Sequence, residues 1–281
     1  MNKKHKGKLG VSTKKFLFLL MIQSFILFSA KSADTKKLTN WLFDAAEKEE
    51  IETVFKLLDI GVDINTQEEV DGKTLLHIFS LKGFGGGVDK LLKNPAIEVN
   101  IAAFRSFNES TPLHCAVWKN KPRVVGLLLN AKACVNSPSW NGNRPLHIAA
   151  ALGLLDIVKM LLVVDGIELD VVTSSGAEQL CFRGCTPLHL AVLGGHINIV
   201  RELCAAGADR SICDSDRMTP WALAKDCQRE KSTTLTSSCA LQESEDSLPE
   251  ELASMYEAIA NLLQSFDVSV DRAELGCEEF F

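Results

Sequence analysis

Five times this sequence opens a helix with nearly the same step, and the spacing of those steps restricts what the chain can become. Thr74-Leu75-Leu76-His77, Thr111-Pro112-Leu113-His114, Arg144-Pro145-Leu146-His147 and Thr186-Pro187-Leu188-His189 are followed by Thr219-Pro220-Trp221, which lacks the histidine. Successive starts lie 37, 33, 42 and 33 residues apart. A unit this short cannot bury an apolar face alone, so its neighbours must stack against it, and the result is a quasi-one-dimensional array with one long open surface.

The rest of each unit supports a pair of helices. Thr offers a cap for free backbone N–H groups, and Pro at the first helical position gives up no useful donor. Small residues follow, as in His147-Ile148-Ala149-Ala150-Ala151, so the first helix can approach its neighbours closely. A Gly turn, at Gly153 or Gly194-Gly195, precedes a second helix with apolar residues at helical spacing: Val124, Val125, Leu127, Leu128; Ile157, Val158, Leu161, Leu162; Ile199, Val200, Leu203. Val62-Asp63-Ile64-Asn65, Val135-Asn136 and Gly207-Ala208-Asp209 close their units.

Both ends depart from this pattern. Residues 39–65 read as a degenerate first unit with a charged outer side, suited to capping the stack. At the other end, residues 228–246 read as an insertion between the two helices of the last unit, and Ser247 with Glu250 reads as a capping box that restarts the helix. Two internal departures stand out. The glycines of Gly83-Phe84-Gly85-Gly86-Gly87 weaken a helix by about 1 kcal/mol each relative to Ala, which predicts a second helix beginning only near Val88. The 42-residue step places about nine extra residues between Val171 and Arg183, and long loops in compact folds are commonly functional.

Candidate chemistry is sparse. Gly83–Gly87 lacks the Lys-Ser/Thr pair and the preceding strand of a phosphate loop. Cys181, Cys185 and His189 have the spacing of a zinc half-site, but His77, His114 and His147 recur at the same step without cysteines. The simpler reading is a structural histidine beside two free loop thiols. His196 sits in a Gly-His turn, and no histidine remains to serve a catalytic cysteine. These readings predict no catalysis, cofactor or metal, with a zinc- or thiol-dependent role for the Cys181–Cys185 loop as an alternative.

The net charge of −6 is unevenly spread. Residues 1–32 hold seven lysines and no acid, leaving 23 basic against 36 acidic residues, or −13, for the remainder. An acidic body argues against nucleic-acid binding and against anionic membranes as partners. The lysines precede an apolar run from Phe16 to Phe28 and small residues to Ala33, the pattern of a signal peptide over residues 1–33 with cleavage after Ser32. The run falls short of a bilayer span. An uncleaved membrane anchor is the alternative, and would be the chain's sole contact with a membrane. Nine cysteines, an odd number, do not form a small-scaffold disulfide framework. Cys115 and Cys204 read as buried hydrophobes. A leader together with free thiols suggests export into a reducing compartment, such as host cytoplasm.

Across residues 39–265 the repeats closely resemble the ankyrin-repeat family. The resemblance implies an all-α solenoid of about six helix-turn-helix units with β-turn fingers, near 39–70, 71–107, 108–140, 141–182, 183–215 and 216–265, followed by a tail over 266–281. It implies binding of another protein, of unstated identity, without catalysis. Aligned to the family pattern, Trp118, Lys119, Ala151, Leu152 and Leu193 fall on first-helix ends facing the groove. Trp140, Asn141, Ser215 and Asp216 fall at finger tips, and His77, His114, His147 and His189 are structural. A leader ahead of such repeats is similar to exported ankyrin-repeat proteins of host-associated bacteria, which suggests a secreted effector or scaffold. A membrane-tethered adaptor is the alternative.

Overall fold

A computed structural model describes residues 32–174, 184–233 and 249–266. Twelve α-helices occur among the described residues, paired as antiparallel hairpins: α1 Ser32–Glu47 with α2 Ile51–Asp59, α3 Leu75–Lys82 with α4 Gly85–Leu92, α5 Pro112–Trp118 with α6 Pro122–Asn130, α7 Pro145–Ala151 with α8 Leu155–Leu162, α9 Pro187–Leu193 with α10 Ile197–Ala205, and α11 Pro220–Thr233 with α12 Pro249–Ser265. First helices pack on first helices along one layer, and second helices on second helices along another. Among the described residues no helix is long and apolar enough to cross a membrane.

The two layers differ because their residues differ. In the first layer Ala116, Ala149, Ala150, Ala191 and Ala224 are all fully buried, and their small side chains let the helix backbones come close. In the second layer Val124, Val125 and Leu128, Ile157, Val158 and Leu161, and Ile199, Val200 and Leu203 form one apolar stripe per helix. Together they make a continuous spine running from Leu42 to Leu263.

Polar rungs cross the spine at three levels. At the base of the fingers, each repeat histidine takes the backbone N–H of its cap residue on Nδ1, at 3.0 Å for Thr74 to His77 and 3.2 Å for Arg144 to His147. The Nε2–H then donates to a carbonyl of the next unit: His77 to Ser110 at 2.9 Å, His114 to Asn143 at 3.1 Å, His147 to Val171 at 2.8 Å and His189 to Met218 at 3.0 Å. An N–H on one side and a carbonyl on the other fix the neutral tautomer with its proton on Nε2. Imidazole thus does what Glu or Gln does at the third position of a capping box. The expected Thr cap is the lesser half of this arrangement, with Thr186 Oγ1 accepting the His189 N–H at 3.4 Å.

The second level lies in the loops after the second helices. Asn65, Asn100, Asn136 and Asp170 each accept a backbone N–H from the following unit, at 2.8–3.1 Å. At the third level His196 Nε2 lies 3.2 Å from the Ala151 carbonyl, and the Tyr256 hydroxyl donates to the Leu193 carbonyl at 2.8 Å. That last bond locks α12 into place as the second helix of the final unit.

Three sequence expectations need correction. The second helix of the first full repeat begins at Gly85, not near Val88. Gly83, at φ 75°, ends α3 in the left-handed conformation. Gly85 and Gly87 are buried, and a Cβ on Gly87 would collide with the Phe84 and Phe79 rings. The glycines therefore serve close packing, which offsets their poor helix propensity. Helix α11 continues through residue 228 to Thr233, so the start predicted for the insertion is helical; residues 234–248, including Ser247, lie outside the described residues. Helix α1 begins at Ser32, inside the predicted leader and ahead of the residue-39 start. Cys213 is disulfide-bonded, while Cys115, Cys134 and Cys204 are free.

Candidate binding surface

Four fingers are short β-turn hairpins, closed by backbone bonds from Glu68 to Lys73, Ala103 to Ser110, Ser139 to Asn143 and Asp214 to Met218 at 2.8–3.0 Å. The fourth in chain order is closed at its base from Thr173 to Cys185 at 3.0 Å, and its residues 175–183 lie outside the described residues. They also bond sideways. Phe104 N–H donates to the Asp71 carbonyl at 2.8 Å, Trp140 to Asn108 at 2.8 Å and Ser174 to Asn141 at 3.1 Å. Phe104, Trp140 and Ser174 are therefore equivalent positions on successive fingers. A finger glycine sits where the next finger approaches: a Cβ on Gly72 would enter the Phe104 ring, and one on Gly142 would lie 2.7 Å from the Ser174 nitrogen. The first four fingers are joined by backbone hydrogen bonds into one ribbon, with side chains held at fixed intervals along it.

Large apolar side chains stand exposed on this side of the molecule. Trp118, the last residue of α5, is 55 % exposed, and Leu152, at the equivalent helix end of the next unit, is 46 % exposed. On the fingers, Trp140 is 36 %, Phe104 43 % and Val70 74 % exposed. Lys119 caps α5 and is exposed beside Trp118. Exposed large apolar side chains at neighbouring units are candidate anchors of an interaction face; Val163, Val172 and Phe266 are exposed as well.

The predicted site residues divide into two groups. Trp118, Lys119, Trp140, Leu152, Ser215 and Asp216 are exposed, whereas Asn141, Ala151 and Leu193 are half-buried. Ala151 and Leu193 give their carbonyls to His196 and Tyr256, and Asn141 gives its carbonyl to the next finger. These three shape the surface more than they offer side chains to a partner. Phe104 and Val70 were not among the sequence candidates. Phe104 precedes its helix-opening Thr111 by seven residues, while Trp140 precedes Arg144 by four, because a 3-10 turn over Arg105–Phe107 lengthens the second finger. Counting back from the helix start misaligns the two aromatics; counting forward from Val99-Asn100 and Val135-Asn136 aligns them.

The thiol and imidazole groups have little reactive character. Burial pushes the Cys115 and Cys185 thiols up to about 12, leaving almost no thiolate near neutrality. Both nitrogens of His189 are engaged by backbone groups. Cys181 lies outside the described residues, and among those described no three His, Cys, Asp or Glu side chains converge as a metal site.

A family model described as ankyrin repeats matches in three copies, over residues 42–139, 88–173 and 146–238. The chain belongs to the ankyrin-repeat family. Among curated proteins it is 30 % identical over 139 residues to pig (Sus scrofa) NF-kappa-B inhibitor alpha, covering 50 % of this chain and 43 % of that protein. It is 30 % identical over 169 residues to human Rabankyrin-5, covering 60 % of this chain and 14 % of the relative. This ankyrin chain therefore spans less than half the length of these relatives. A solved ankyrin repeat domain from Acinetobacter baumannii superimposes with a TM-score of 0.61 at 20 % identity, over 80 % of this chain and 96 % of the other. That likeness is one of fold. The ankyrin assignment accounts for the histidine rungs, which recur in the four middle units, and for the fingers between successive units.

Proposed function

We propose that the chain is a non-catalytic binding module that grips a partner protein along the fingers and first-helix ends, with Phe104, Trp118, Trp140 and Leu152 as apolar anchors. Ankyrin repeats are protein–protein interaction modules, and the NF-kappa-B inhibitor relative bears the name of a protein that acts on another protein. The observation that carries the reading is the pair of exposed aromatics, Phe104 and Trp140, at equivalent positions on fingers joined by backbone hydrogen bonds. Aromatic anchors on a rigid frame are the usual centres of binding energy, with truncation costing about 2–4 kcal/mol at a strong site. Changing Trp118 and Trp140 together to Ala is expected to abolish partner capture from lysate while leaving the helical circular dichroism unchanged. Capture of the same partner at undiminished yield would refute this surface.

Residues 1–33 support export as the setting for this binding, and the disulfide at Cys213 suits passage through an oxidising compartment. In this reading the module is an exported effector acting on a host protein. Amino-terminal sequencing of the mature protein is expected to find the leader removed close to Ser32. An intact Met1 in a membrane fraction would instead identify a tethered adaptor.

A further inference from the structure

We infer that the four rung histidines form an acid-operated release built into the stack: protonation turns each Nδ1 from an acceptor into a donor facing a backbone N–H, so the joints between five consecutive units loosen together. The inference stands on geometry and does not depend on the binding reading. In every rung the cap residue's N–H points at Nδ1 from 3.0–3.2 Å, and the side-chain oxygen that Glu or Gln would offer there is replaced by a ring nitrogen that can gain a proton. Imidazolium has no acceptor at Nδ1, so the cap N–H would face a second N–H at hydrogen-bond distance. In the His77, His114 and His189 rungs the Thr hydroxyl, 2.8–2.9 Å from Nδ1, would have to turn from donor to acceptor, and the His147 rung, headed by Arg144, has no such hydroxyl. All four rings are buried at unit boundaries, so the loss falls on the contacts that hold the array together.

The surroundings set the direction. Burial is the main cause in each case and pushes His77, His114 and His147 down to about 4, opposed by the carbonyl each ring meets. Lys73 and His114 lower His77 further, Arg144 lowers His114, and Arg144 and His114 lower His147. His189 is also lowered by burial, but Asp214 favours its charged form. A histidine held neutral in the folded state destabilises the fold as soon as the unfolded chain takes up its proton. Above about pH 6.5 the rungs are therefore intact. Stability falls as pH drops from there toward 4, and below 4 the loss is complete. Each such ring lowers the folding constant about tenfold per pH unit inside this window.

The test is urea unfolding of the full chain at closely spaced pH values between 7.5 and 4.5, with the slope of stability against pH giving proton uptake. Near pH 5 the unfolded chain is expected to bind about three more protons than the native chain through these rings. His114→Gln and His147→Gln, which keep a cap acceptor that cannot titrate, should each reduce that uptake by about one. A slope unchanged in both variants would overturn the inference. So would an imidazole among the four that titrates near pH 6.5 in the native protein, read from its ring-proton shifts by NMR; that measurement needs no variant to fold.

Discussion

Replacing Leu128 with alanine is expected to cost about 3–4 kcal/mol of unfolding free energy, enough to threaten the whole array. Leu128 is fully buried in α6 at the middle of the spine. Truncating a buried leucine loses both its transfer energy and the contacts around the void it leaves. Domains of this size hold only about 5–15 kcal/mol in total. Leu57, in α2 of the first unit, is equally buried, but among the described residues that unit has a neighbouring unit on one side only. Its truncation should lower the global transition less, because the end unit can fray while the others remain stacked. Urea melts followed by circular dichroism compare the two, and equal midpoint shifts would show the molecule melting as one block.

His147→Ala is expected to be as damaging, at about 3–5 kcal/mol, although it removes no aliphatic core residue. The ring is about 1 % exposed, and its loss leaves a void along with an unpartnered Arg144 N–H and an unpartnered Val171 carbonyl. Orphaned buried groups each cost about 1–3 kcal/mol, and the cavity adds to them. His147→Gln should recover part of this at neutral pH by restoring the acceptor at the cap. Matching midpoints for the Ala and Gln variants would mean that the hydrogen bonds contribute nothing and that only ring volume matters.

The repeat architecture was legible because its signals are local. A cap residue, a proline, a histidine three places on and an apolar stripe at helical spacing all lie within one unit, and neighbouring units repeat them. What escaped the sequence depends on contacts between units. Gly85 and Gly87 read as helix breakers until the Phe79 and Phe84 rings are seen filling the space a Cβ would need. Phe104 was hidden because an added turn shifts it relative to its own helix but not relative to the neighbouring finger. Leu193 looked like a groove residue because nothing nearby in sequence indicates that Tyr256, on the last helix, caps its carbonyl. The recurrence of the rung histidines was visible in the repeat step, while their use of both ring nitrogens, and hence their response to acid, emerged only from the geometry.

The sideways bonding of the fingers bears on how such a molecule can change over generations. Each join involves one unit and the next, so a copy inserted between two others meets the same donors and acceptors that its siblings already satisfy. Reach can then grow or shrink in whole increments, with no need to redesign anything further along. The lengthened second finger follows the same economy: its added turn gains a bond of its own, from the Ser106 hydroxyl to the Val70 carbonyl at 3.2 Å, while the backbone joins on either side of it are kept.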